Sequence, residues 1–67
     1  MRTRVRITDD SPVGMYPKYK KGQNGFVDGY IVEHNEDAKA VVVRDDDGSF
    51  IPVPLNEIEF IGGNIYE

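Results

Sequence analysis

Ala38-Lys39-Ala40-Val41-Val42-Val43-Arg44, then Asp45-Asp46-Asp47-Gly48-Ser49, then Phe50-Ile51-Pro52-Val53: this stretch decides the fold. It holds the longest purely apolar run of the chain, Ala40 to Val43, and β-branched residues favour a pleated, half-buried backbone. The segment after it, Asp46-Asp47-Gly48-Ser49, supplies turn chemistry, because glycine takes the positive φ that a tight β-turn needs. A second β-rich segment then returns. The pattern reads as a hairpin, with residues 38–44 as the central, most buried strand. Pro52 and Pro54 have no N–H to give a ladder, which confines the returning strand to a sheet edge or a strand end.

Upstream, a period of two persists. Thr3, Val5 and Ile7 alternate with Arg2, Arg4 and Arg6, which puts the aliphatics on one face of a strand and the arginines on the other. Gly25-Phe26-Val27-Asp28-Gly29-Tyr30-Ile31-Val32 lies between turn-formers and predicts a second strand. Downstream, Leu55-Asn56-Glu57 reads as one helical turn and Ile58-Glu59-Phe60-Ile61 as a last short strand. Gly62-Gly63-Asn64 is expected to break it and to leave residues 63–67 as a tail beyond a single domain over 1–62. Nowhere do apolar residues recur at helical spacing for ten residues, so the fold class is all-β. The expected core is Val5, Ile7, Val27, Ile31, Val42, Val53 and Ile58, with Ala40 where strands approach closely.

Five short strands with a solvated face need their edges closed, and curling into a small barrel does this. The order, with a long loop from Asp9 to Lys21 after strand one, a tight hairpin and a single turn before the last strand, resembles the Src-homology-3-like barrel. The stretch Val53-Pro54-Leu55-Asn56-Glu57-Ile58-Glu59 resembles the ending of that family. Gly22-Gln23-Asn24-Gly25-Phe26-Val27 is similar to the glycine-paced lead-in of KOW-type barrels of ribosomal and transcription proteins. The resemblance implies a five-stranded barrel over roughly residues 3–61. It does not carry polyproline recognition with it. The peptide-binding members use an aromatic row, whereas this chain has Val5-Arg6-Ile7-Thr8-Asp9 in place of their Ala-Leu-Tyr-Asp-Tyr segment. It also has no tryptophan, and Glu57 stands where a tyrosine would be.

Length and composition bound the function. Sixty-seven residues make one domain, and a chain of this size buries only about 60% of its unfolded surface. Zero cysteines exclude disulfides, thiolate-bound zinc and thiol catalysis, and fit a reducing compartment. The apolar run falls far short of the roughly 20 residues of a membrane span, and the start, with Arg2, Arg4 and Arg6 alternating with apolar residues, is expected not to be a signal peptide. Ser11 and Ser49 sit in turns, His34 is the only imidazole, and no phosphate-cradling loop is present, so no enzyme and no cofactor is expected. Asp45-Asp46-Asp47-Gly48 fails as a calcium loop, because Val43 and Pro54 stand where ligands would be needed. Glu33, Glu36 and Asp37 around His34 read as a solvated turn, not a metal site.

Charge is unevenly placed. Residues 1–21 hold six basic groups against two acids, a balance of +4, and residues 22–67 hold two against ten, a balance of −8. Within the basic third, Tyr16-Pro17-Lys18-Tyr19-Lys20-Lys21 interleaves aromatics with lysines. The candidate partner-binding residues are therefore Arg2, Arg4, Arg6, Tyr16, Lys18, Tyr19, Lys20 and Lys21, with the tyrosines as anchors. Against this stands a plainer reading, in which Tyr16 and Tyr19 close the open end of the barrel and the lysines solvate the loop. The leading expectation is a non-catalytic protein-interaction module binding a protein partner. Its size and lack of cysteine suit a cytoplasmic, monomeric accessory protein of bacterial or phage origin. The alternative is a nucleic-acid or ribosome-associated binder using the same basic third, with lysines on phosphates and tyrosines on bases.

Overall fold

The computed structural model of the protein describes residues 2–64, the side chains of 63 and 64 excepted. Five antiparallel strands form one sheet: β1 Arg2–Ile7, β2 Asn24–Ile31, β3 Lys39–Arg44, β4 Phe50–Pro54 and β5 Ile58–Asn64, with a 3-10 turn over Leu55–Glu57. The order across the sheet is β4-β3-β2-β1-β5. The all-β reading, the hairpin and the single turn before the last strand are all present. Ladders do not close the sheet, and β4 and β5 are its two edges.

This sheet is not flat. Four inter-strand spacings would separate the edge strands of a flat sheet by roughly 19 Å. The chain passes from Pro54 at one edge to Ile58 at the other through only the three residues of the 3-10 turn. Even fully extended, four Cα steps reach about 15 Å, and a 3-10 turn reaches much less. The sheet therefore curls until its edges approach, and the concave side becomes the core.

Val5, Ile7, Ala40, Val42, Val53 and Ile58 are buried there as expected, joined by Ile51 and Tyr19, with Val27 and Met15 packed against them. Ile31 departs from the expectation and is exposed. The cause is a bulge. Val27 pairs with Val42 but Gly29 pairs with Val41, so Asp28 is an extra residue, and every side chain after it changes face. Gly25 marks a close approach between strands. A Cβ there would fall on the Val43 carbonyl oxygen and lie 2.8 Å from a Val42 methyl.

The hairpin turn closes with Gly48 N–H donating to the Arg44 carbonyl at 2.9 Å and Arg44 N–H to that of Ser49 at 3.0 Å, Gly48 having φ +70°. Leu55 N–H donates to the Ala38 carbonyl on the β3 side at 3.4 Å, so by ladder parity Val53 and Ile51 bond toward β3 and the missing N–H groups of Pro52 and Pro54 fall on the outer edge. The break expected at Gly62-Gly63-Asn64 does not occur, and β5 continues through them. A register shift lets it do so: Phe60 pairs with Val5 and Gly62 with Arg4, leaving Ile61 as the extra residue beside Gly62 at φ +128°. Of the tail expected over 63–67, residues 65–67 lie outside the described residues.

Candidate functional site

The segment between β1 and β2 is a folded stem with an exposed tip. At its base Ile7 N–H donates to the Gln23 carbonyl and Gly22 N–H to that of Ile7, both at 2.8 Å, while Thr8 N–H reaches the Glu57 carbonyl at 2.9 Å. Higher up, Ser11 and Tyr19 bond twice, through Ser11 N–H to the Tyr19 carbonyl at 2.9 Å and Tyr19 N–H to Ser11 Oγ at 3.2 Å. The Asp10 carboxylate accepts from Lys21 N–H and the Gln23 side-chain oxygen from Lys20 N–H, each at 2.8 Å. These bonds satisfy backbone groups that a loop would otherwise leave to water.

Two side chains fix the stem to the body. Tyr19 is 1% exposed, its ring inside the core and its hydroxyl donating to Glu57 Oε1 at 2.7 Å. Burial first, then the Glu57 carboxylate that accepts its proton, then the charge of Asp9, push this phenol far above its ordinary value. Arg44 divides its guanidinium three ways: Nε to Ser49 Oγ at 2.8 Å, Nη2 to Asp47 at 3.1 Å and Nη1 to the Lys18 carbonyl at 2.9 Å. One side chain thus ties the β3–β4 turn to the β1–β2 loop where its tip ends at Lys18.

The tip, Pro12 to Lys18, turns at Met15 N–H to the Pro12 carbonyl (3.1 Å) and contains a cis Tyr16-Pro17 peptide. Val13 is fully exposed and Tyr16 is 85% exposed. Lys18, Lys20 and Lys21 are exposed, and among the described residues none of their ammonium groups forms an ion pair. A cleft of about 250 Å³ opens between Pro12-Val13-Gly14 on one arm and Lys18 and Lys20 on the other.

The arginines share one face of β1, as the alternation requires, and it is the convex face, opposite the core that holds Tyr19. Carboxylates meet them there. Arg4 makes a two-pronged ion pair with Asp45, and Arg6 reaches Glu59 Oε1 and Asn24 Oδ1, each at 3.3 Å. Arg2 lies 4.4 Å over the Phe26 ring. Hydrogen bonding to Arg4 holds the Asp45 carboxyl below its ordinary range. Seven of the eight candidate residues therefore fall into two groups: a convex face on which Arg4 and Arg6 meet carboxylates and Arg2 lies over Phe26, and a loop with exposed Tyr16, Lys18, Lys20 and Lys21. Tyr19 belongs to neither surface, since its ring is part of the core. Val13 was missed by the sequence reading, because a lone valine beside Pro12 and Gly14 carries no periodicity. At the acidic hairpin tip Asp47 bonds locally, accepting from Ser49 N–H at 3.0 Å and from Ser49 Oγ at 2.7 Å.

No family model, no curated protein and no solved structure matches this chain.

Proposed function

We propose that this protein is a non-catalytic interaction module whose partner-binding surface is the tip of the β1–β2 loop. The observation that carries the reading is the contrast inside six residues. Tyr19 is sunk in the core while Tyr16, three positions earlier, stands in solvent with Val13, on a loop whose lysines have no ion pair among the described residues. An ordered stem presenting an aromatic and an aliphatic at low entropic cost is what a binding anchor needs. The lysines would steer an acidic protein surface toward the tip, and the acidic remainder of the chain would discourage other orientations.

The reading of the fold as a Src-homology-3-like barrel belongs to the same proposal. It is supported by the strand order, by the curl that the three-residue connection imposes, and by the 3-10 turn before β5. The nucleic-acid alternative draws on the same Tyr16 and lysines. Capture of partners from a lysate of the native host, with and without nuclease and across a salt series, separates the two. Binding that survives nuclease and weakens gently with salt supports the protein partner. Loss on nuclease treatment with a steep salt slope overturns it in favour of nucleic acid.

A further inference from the structure

The two edges of the sheet are unequal. On β4, Pro52 and Pro54 remove the outward N–H groups, so no strand can add there with a full ladder. β5 contains no proline and no lysine from Ile58 to Asn64, and among the described residues nothing pairs with its far side. Its outward groups follow from ladder parity. Ile7 exchanges backbone bonds with the β2 side, while Thr8 N–H turns to the Glu57 carbonyl on the β5 side. Arg6 therefore bonds toward β5, its partner Glu59 bonds back, and the N–H and C=O of Ile58 and Phe60 point away from the sheet. Phe60 is 54% exposed and Ile61 beside it is also exposed.

We infer that the β5 edge is a self-association site, at which a second copy of this chain adds its own β5 antiparallel to the first. Three observations favour this occupant. Each chain has one competent edge, so pairing closes at two copies and cannot continue into a fibre. The one charged side chain of the Ile58–Ile61 segment, Glu59, is already neutralised by Arg6 at 3.3 Å, so two chains of net charge −4 meet at a locally neutral seam. A two-fold register also exists that avoids like charges. Phe60 opposite Phe60 of the other copy uses the outward groups of both and sets each Glu59 opposite Ile61 of the other copy rather than opposite the other Glu59. The bulge at Ile61 turns the groups beyond it, which keeps the shared ladder short. The dimer is therefore weak and concentration-dependent.

The test is sedimentation equilibrium of the full chain from micromolar to millimolar concentration, with Phe60→Lys and Phe50→Lys beside the wild type. Phe50 is 61% exposed on the proline-bearing β4 edge and serves as the control. The wild type and Phe50→Lys should rise from 7.6 kDa toward twice that mass, and added salt should strengthen the association by screening the net charge. Phe60→Lys should stay at the single-chain mass across the range while its circular dichroism and melting remain those of the wild type. As a second reading, Phe60→Cys, in a chain with no other cysteine, should form a disulfide dimer under mild oxidation at least tenfold faster than Phe50→Cys. A wild type that holds the single-chain mass at millimolar concentration overturns the proposal. Association lost in Phe50→Lys but kept in Phe60→Lys overturns it as well.

Discussion

The Tyr19 hydroxyl donates to Glu57 Oε1 at 2.7 Å, joining the loop after β1 to the 3-10 turn before β5 across 38 positions of sequence. The ring fills the core and the hydroxyl satisfies a carboxylate at its margin. The two parts of this anchor separate by mutation. Tyr19→Phe keeps the packing and loses a hydrogen bond to a charged acceptor, which costs about 1.5–3 kcal/mol. Tyr19→Ala also leaves a cavity and costs about 3–5 kcal/mol. Since net stability is only about 5 kcal/mol for a small domain, Tyr19→Ala should be largely unfolded by circular dichroism at room temperature.

Burial of this phenol, with the Glu57 hydrogen bond after it, sets an alkaline limit. The folded-state phenol is raised above its unfolded value of about 10, so the folded protein holds this proton more tightly than the unfolded chain. Its contribution is complete below pH 10 and is lost as pH rises beyond it. Denaturant midpoints measured from pH 8 to 12 should fall above pH 10 in the wild type, and less steeply in Tyr19→Phe.

Two glycines of one strand, β2, should behave in opposite ways. Gly25→Ala forces a methyl group onto the Val43 carbonyl and should cost about 1–3 kcal/mol or more, because backbone cannot yield as a side chain does. Gly29→Ala meets nothing within 4 Å and should leave the melting temperature equal or slightly higher. Equal melting of both variants would contradict the close approach at Gly25.

Gly48 takes φ +70° with open space around it. Gly48→Val should therefore destabilise by about 1 kcal/mol or more through backbone strain alone, and Gly48→Asn by less, since asparagine tolerates this region. Urea midpoints for the two variants check the order.

Much of this fold was legible in the sequence because alternation is a local signal. The hairpin, the 3-10 turn, the edge role of the prolines and six core aliphatics follow from residues next to one another. What stayed hidden depends on register. Ile31 changes face because of one extra residue at Asp28, and β5 passes Gly62-Gly63 because a bulge absorbs the positive φ. The candidate site was half legible. Tyr16 and Tyr19 lie three positions apart in one segment of aromatics and lysines, and only the tertiary position of Glu57 and the core tells the buried ring from the exposed one. The arginines alternate as read, but Asp45 and Glu59, which balance Arg4 and Arg6, lie 41 and 53 residues away.

Arg44 should control the order of the loop without holding up the core. Arg44→Gln removes the guanidinium that reaches the Lys18 carbonyl, Asp47 and Ser49 together. Hydrogen exchange at the Tyr19 and Lys21 amides should quicken several-fold while amides of β3 keep their protection. Uniform loss of protection across the sheet would instead make Arg44 part of global stability.

The central claim, that the loop tip is the binding surface, meets its most direct test in partner capture by three variants of matched stability. Tyr16→Ala with Val13→Asp removes the apolar anchors, Lys18→Glu with Lys20→Glu reverses the rim, and Asp46→Lys alters the acidic hairpin on the other side of the chain's charge asymmetry. All these positions are exposed, so melting should stay within about 0.5 kcal/mol of the wild type. The first pair should abolish capture of the partner from the native host, the second should slow its association, and Asp46→Lys should retain it. Normal capture by both loop variants, with loss in Asp46→Lys, would instead place the functional surface at the acidic hairpin.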